Sequence, residues 1–255
     1  MKRLGRIGYL MLIYLFLYFP MAILIIFSFN NSQYSLTWKG FTLNWYRTLL
    51  ADGVLLRVAV NSLLVAVSSA TLATAIGTMA AVSLYRYRFF GRQLLYALIY
   101  VIIMSPEIVM GISLLILFVA IRLPLGFWTL LLSHTTFCIP FVVVTVLSRL
   151  SGFDRAIVEA AKDLGASEFQ TFRQIILPLL MPAVLAGWLL SFTLSMDDVI
   201  ISFFVTGPGF EVLPLRIFSL VRLGVKPEIN ALCAILFGLT LVFISLSQIL
   251  QKEKQ

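Results

Sequence analysis

The stretch Asp154-Arg155-Ala156-Ile157-Val158-Glu159-Ala160-Ala161-Lys162-Asp163-Leu164-Gly165-Ala166-Ser167-Glu168-Phe169-Gln170-Thr171-Phe172-Arg173-Gln174-Ile175-Ile176-Leu177-Pro178 is a charged segment in an otherwise strongly apolar chain. Its residues spell two short helices joined by a turn. Asp154 is placed to cap the first, because an aspartate side chain accepts from the orphan N–H groups of a first helical turn. Ile157, Ala160, Ala161 and Leu164 then follow the i, i+3, i+4, i+7 spacing of one apolar face. Gly165 is positioned to end that helix, since glycine adopts the left-handed conformation without a Cβ penalty. Ser167 followed by Gln170 makes a capping box for a second helix that runs towards Leu177-Pro178. Ala160 and Ala161 leave room for another surface to approach closely, while Glu159, Lys162 and Asp163 flank them as charges able to fix its register. Taken alone, such an element also fits an ordinary interfacial helix.

The segment lies between two long apolar runs, and four more complete a set at about 8–29, 58–84, 94–118, 127–148, 179–204 and 229–250. Each is long enough to cross a hydrocarbon core of about 30 Å as helix. Apolar residues make up 61% of the 255 and charged residues 12%, which is outside the usual mix of a soluble domain. No run alternates polar and apolar residues as a lipid-facing strand would. The expectation is one all-α integral membrane domain over 1–255, with six transmembrane helices and a cytoplasmic loop at 149–178.

Lys2, Arg3 and Arg6 precede the first run, as in a signal peptide, but that run exceeds the roughly 7–15 residues of a signal core and no small-residue cleavage site follows. A retained first helix is expected. Holding Lys and Arg on the cytoplasmic side places both termini inside, with twelve of the nineteen basic residues in the cytoplasm. The loop carrying Arg86, Arg88 and Arg92 has no acid and is the clearest single indicator. The net charge of +8 is then a matter of topology and anionic headgroups, and nucleic acid is not an expected partner.

Several chemistries are disfavoured. There is no G-x4-G-K-[ST] phosphate loop, no H-E-x-x-H and no nucleophile, base and orienter set within the spans. Cys138 and Cys233 lie in spans without metal-ligand spacing and read as packing residues. His134 is a lone ionisable group in the fourth span, and an imidazole there can serve by hydrogen-bonding a neighbouring helix. The Trp45-Tyr46 pair reads as an interfacial anchor.

Three acids within spans call for explanation, because each costs about 2.5–3.5 kcal/mol at a helix centre on insertion scales. Glu107 follows Ser105-Pro106, which reads as an N-cap and an N1 proline in mid-span, so the third helix should break or bend there. Asp197 and Asp198 end the fifth span. Ala183, Gly187, Ser191 and Ser195 form a small-residue ridge spaced by four. On an unbroken helix Asp198 projects over that ridge and Asp197 a quarter turn away, making Asp198 the stronger candidate for a cavity-facing carboxylate. Separated carboxylates with aromatic faces between them suit a flexible cation carrying spaced ammonium groups. Trp188, Phe192, Phe203 and Phe204 are candidates for those faces.

The full spacing E-A-A-x3-G-x9-I-x-L-P is met at every defined position from Glu159 to Pro178. It resembles the cytoplasmic signature of the permease subunits of bacterial ATP-binding-cassette importers. The run from Ala80 to Phe89, Met104-Ser105-Pro106-Glu107-Ile108-Val109-Met110, Gly126-Phe127-Trp128, the run from Ser191 to Asp198 and that from Phe203 to Pro214 are similar to the polyamine-importing members of that family. The family pattern usually has aspartate where Glu107 stands.

The resemblance implies a type I importer (MetI-like) permease fold in the bacterial inner membrane. It makes the elbow a coupling helix, with Glu159, Ala160, Ala161, Asp163 and Gly165 contacting an ATPase or shaping the turn. The substrate pathway would run past Glu107, Asp197, Asp198, Trp188 and Phe192. Implied partners are a homologous permease, a cytoplasmic ATPase dimer that holds ATP and Mg, and a periplasmic polyamine-binding protein. No cofactor is expected on this chain. The alternatives are another cargo, such as iron, sulfate, phosphate or thiamine, and an ion-coupled secondary transporter.

Overall fold

The computed structural model describes residues 2–32, 37–152, 155–222 and 227–252, with backbone alone at 2–6, 155, 158, 159, 162, 239, 240 and 242–252. Among the described residues the regular secondary structure is all helical, with two isolated bridges, Asn30 with Phe41 and Gly207 with Phe210. By length and composition four helices can each cross a membrane: Ile7–Phe27, Gly53–Arg86, Phe127–Ser151 and Glu168–Asp197. The chain divides into two compact units, 58–215 and a second made of 1–57 with 216–255.

In the second unit, α1 (Lys2–Phe27), the short α2 (Asn44–Ala51) and α12 (Pro227–Lys252) pack together. Along α12 the described apolar stretch is Pro227–Gly238, overlapping the start of the expected last span at 229–250. Beyond α1 the chain closes a small loop around the fully buried Asn30. Its side chain donates to Thr37 O at 2.8 Å and accepts from Lys39 N at 2.8 Å, while Trp45 Nε1 donates to Asn30 O at 2.8 Å. Tyr46 meets Ser28 Oγ at 2.6 Å, and its ring lies 5.2 Å from that of Phe29. The Trp45-Tyr46 pair thus ties this loop to the end of α1, a role its interfacial chemistry did not announce.

The unit over 58–215 is built around α6 (Phe127–Ser151), whose Val142, Val143 and Val146 are fully buried. Val142 sits between two glycines. A Cβ added at Gly77 of α3 (Gly53–Arg86) would lie 2.8 Å from Val142 Cβ, and one at Gly187 of α9 (Leu177–Asp197) would lie 3.3 Å from Val142 Cγ1. Without solvent exclusion to drive association in lipid, such small residues let helix backbones approach closely enough for dispersion to hold them. The expected ridge on α9 is this contact: Gly187, Ser191 and Ser195 are buried, and Ala183 is half-buried.

The third expected span is two arms, α4 (Arg92–Met104) and α5 (Glu107–Ala120), turning through 112° at Ser105-Pro106. The break falls where the proline predicted it, with different capping. Pro106 occupies the N-cap position and Ser105 ends α4, returning its hydroxyl to Val101 O at 2.7 Å. At 1.5 Å per residue each arm rises only about 20 Å, so neither alone crosses a hydrocarbon core. The fifth expected span, 179–204, also divides: α9 stops at Asp197 and α10 (Ile200–Val205) starts after a break at Asp198 and Val199.

Candidate functional site

Two places in the 58–215 unit carry the expected functional residues. The first is the elbow, α7 (Arg155–Asp163) followed by α8 (Glu168–Thr171). Gly165 ends α7 with φ +85°, and Ala166 N reaches back to Ala161 O at 3.0 Å, closing the last turn. The Ser167 capping box forms as the spacing predicts: Ser167 Oγ accepts from Gln170 N at 3.3 Å, and Gln170 Oε1 accepts from Ser167 N at 2.8 Å. Asp154 lies outside the described residues, as do the side chains of Glu159 and Lys162.

The apolar face of α7 is not a core face. Ala161 is buried, but Ala160 and Asp163 are exposed, as are Ile157 at 44% and Leu164 at 89%. The inward side of the elbow is fixed instead by Thr171 and Ile176, both buried. Glu168 pairs with Arg86 at the end of α3 and accepts from Tyr87 Oη at 3.4 Å.

From α8 the chain enters α9 through a π-helical turn, Phe172–Ile176, in which Leu177 N donates to Phe172 O, five residues back. Pro178 explains the wide turn. Proline has no N–H and its ring crowds the carbonyl four residues earlier, and an extra residue per turn relieves that crowding without breaking the helix.

The second place is the pair of helix breaks. Asp198 is buried and both its oxygens are taken by protein: Oδ1 accepts from Ile201 N at 3.1 Å and Oδ2 from Ser202 N at 2.7 Å, capping α10. His134 Nε2 of α6 lies 3.3 Å from Oδ2 and 3.1 Å from Ser202 Oγ, and Nδ1 lies 2.7 Å from Ser195 Oγ. Ser69 of α3 donates to Ser195 Oγ at 3.2 Å. The carboxylate facing Nε2 favours the tautomer with its proton there, so Nδ1 accepts from Ser195, which accepts from Ser69.

The two aspartates differ in exposure, Asp198 being buried and Asp197 exposed. Asp198 does lie over the small-residue ridge, but the ridge meets protein, so its carboxylate is structural in this conformation. Asp197 and Glu107 are exposed. Glu107 stands at the first turn of α5. The α5 and α10 helices pack on one another, with Gly111 so close that an added Cβ would sit 2.6 Å from Phe204 Cδ2.

Trp188 and Phe192 form a separate aromatic pair. Their rings stack 5.5 Å apart, and Trp188 Nε1 donates to Thr71 Oγ1 at 3.1 Å across a groove between α3 and α9. Nine residues separate Trp188 from Asp197, about 14 Å of helix rise. The partnership of His134 with Asp198 is a connection that the sequence did not announce. Its signal was the paired appearance of a lone histidine in one span and an acid doublet in another.

Residues 73–252 match the family model described as "Binding-protein-dependent transport system inner membrane component". The chain belongs to this family. Among curated members, the permease is 58% identical over 252 residues to the spermidine/putrescine transport system permease protein PotC of Escherichia coli strain K12, covering 99% of this chain and 96% of that protein. It is 52% identical to PotC of Haemophilus influenzae, covering 97% and 96% of the two chains, and 44% identical to the putrescine transport system permease protein PotI of E. coli K12, covering 98% and 92%. Among solved structures, a chain from an amino acid ABC transporter with histidines superposes with a TM-score of 0.61 at 18% identity, covering 84% of this permease and all of that chain. That likeness supports the permease fold.

Proposed function

We propose that this chain is one of the two membrane subunits of an ATP-driven polyamine importer, a single permease domain lying in the bacterial inner membrane with both termini cytoplasmic. A homologous permease supplies the other half of the pathway, a periplasmic polyamine-binding protein delivers cargo, and a cytoplasmic ATPase dimer binds ATP and Mg. This chain binds no cofactor and hydrolyses nothing. The cargo assignment draws on the names of its relatives. The structural observation that carries it is the pair of exposed carboxylates, Glu107 and Asp197, at two separate helix breaks whose following helices, α5 and α10, pack on one another.

Discontinuous helices are a recurrent way to bring polar groups to the membrane midplane. Two carboxylates on separate arms can each take one ammonium of a polyamine by charge-assisted hydrogen bonds. Such a site must hold cargo briefly, and two exposed acids bind a dication less tightly than a closed cage would. Energy enters at the elbow, whose exposed Ile157 and Leu164 offer an apolar docking face for the ATPase. Because the π-helical turn joins α8 to α9 without interruption, movement of the elbow is delivered about 30 Å away, where α9 ends at Asp197.

The test is spermidine uptake by the complete four-component complex in proteoliposomes with ATP supplied to the ATPase. Glu107→Gln and Asp197→Asn are each expected to cut uptake about tenfold with assembly intact. Failure of an assembled, ATP-hydrolysing parent to move spermidine would overturn the cargo assignment. Full uptake by both variants would remove these acids from the pathway.

A further inference from the structure

Neither the elbow nor the exposed acids explain why a buried histidine stands in α6 at the meeting point of three other elements. His134 is 1% exposed, and each ring nitrogen has a partner. Through Ser195 it holds the last turn of α9, and through Ser202 and Asp198 it holds the start of α10. Ser69 extends the same chain of hydroxyls to α3.

The geometry points to His134 as a positioning residue for cargo passage, acting through Asp198 on the two exposed acids. Asp197 is the covalent neighbour of Asp198, so the direction in which it leaves α9 is set by how Asp198 is held. Glu107 is reached through packing: α10 begins on the Asp198 carboxylate and lies against α5 at Gly111, one turn from Glu107. A single buried imidazole thereby fixes the spacing of two carboxylates that come from different helix breaks. The role as stated for cargo rests on the reading of those acids as polyamine contacts; the control of their geometry does not.

Two measurements on the assembled four-component complex test this. The first is a double-mutant cycle on spermidine uptake. His134→Leu removes every hydrogen bond at similar bulk, and it should lower uptake about tenfold, the scale of coupling within one hydrogen-bond network. His134→Gln places a donor near the Nε2 position and should recover most of the loss. In an Asp197→Asn and Glu107→Gln background, His134→Leu should add little, because the groups it positions are already neutral. Losses that simply multiply in the cycle would overturn the proposal.

The second measurement is independent of cargo. A cysteine replaces Asp197 in a chain carrying Cys138→Ala and Cys233→Ala, and its rate of reaction with a small hydrophilic thiosulfonate is followed. His134→Leu should change that rate about tenfold and His134→Gln by less than about twofold. An unchanged rate with leucine would overturn the proposal even where the complex transports normally. If the parent complex moves no polyamine, the cargo reading fails and the labelling rates alone decide the positioning role. Should His134→Leu fail to assemble, His134→Asn, which keeps a polar group near Ser195 but does not reach Asp198, carries the same comparison.

Discussion

Gly165 offers a perturbation whose size can be worked from the structure. Its φ is +85°, and a Cβ built there meets nothing within 4 Å. Alanine therefore clashes with no neighbour, and the whole penalty is that of holding an L-residue in the left-handed region, about 1–2 kcal/mol. If that energy is lost from the formed elbow, its population relative to alternative turns falls by up to about 5–30-fold. A partner that binds only the formed elbow then loses affinity by at most that factor, since apparent affinity scales with the competent fraction. The assay is titration of purified ATPase subunits onto the permease pair in nanodiscs, comparing Gly165→Ala, Gly165→Asn and Gly165→Val. Asparagine tolerates this conformation better than other non-glycine residues and should recover much of the affinity, whereas β-branched valine should be the worst of the three. Equal affinities for glycine, alanine and valine would refute the claim that this turn presents the docking face, and asparagine as damaging as valine would refute the conformational origin of the effect.

Two further outcomes follow from the same coordinates. Gly207→Ala would put a Cβ 2.1 Å from Leu125 O, a backbone atom with nowhere to rotate, whereas Gly209 in the same turn has open space; thermal unfolding of the detergent-solubilised complex should show a loss of about 3 kcal/mol for Gly207→Ala and almost none for Gly209→Ala, and equal melting of the two would contradict this packing. The Arg86 and Glu168 pair joins α3 to the elbow near the surface, where such pairs contribute up to about 1 kcal/mol; Arg86→Glu should lower the uptake obtained per ATP hydrolysed about fivefold and the Arg86→Glu, Glu168→Arg exchange should restore most of it, a result that a merely local charge effect would not give.

The elbow was almost wholly legible from sequence because its determinants are local. A serine three residues before a glutamine and a glycine after an apolar face carry their meaning within one or two turns, and the structure shows both the capping box and the left-handed glycine. The break before Glu107 was legible for the same reason, proline being a local instruction, although which residue capped it was not. The partners of Asp198 were not legible, because the wheel argument assumed a continuous helix. Its carboxylate is recruited by N–H groups of Ile201 and Ser202 and by His134, 64 residues earlier in the chain. No spacing rule within a span reveals such a partner, and the pairing also decides which aspartate of the doublet faces outward. The partners of Trp188 were illegible for a related reason: its Nε1 donates to Thr71 on another helix, and its ring stacks on Phe192.

The π-helical turn at Phe172–Ile176 has a bearing on how such a chain can change over time. Adding one residue to a helix rotates everything after it by about 100°, and the wide turn absorbs that rotation in a single place. The face of α9 that meets α6, with Gly187, Ser191 and Ser195, therefore keeps its phase with the elbow despite the extra residue. Loss of one residue between Thr171 and Leu177 would let the turn tighten to an ordinary α-helical one, leaving Asp197 and the serine ridge facing as before. The turn acts as a length buffer, by which the elbow can gain or lose a residue while the helix beyond it presents the same side to its neighbours.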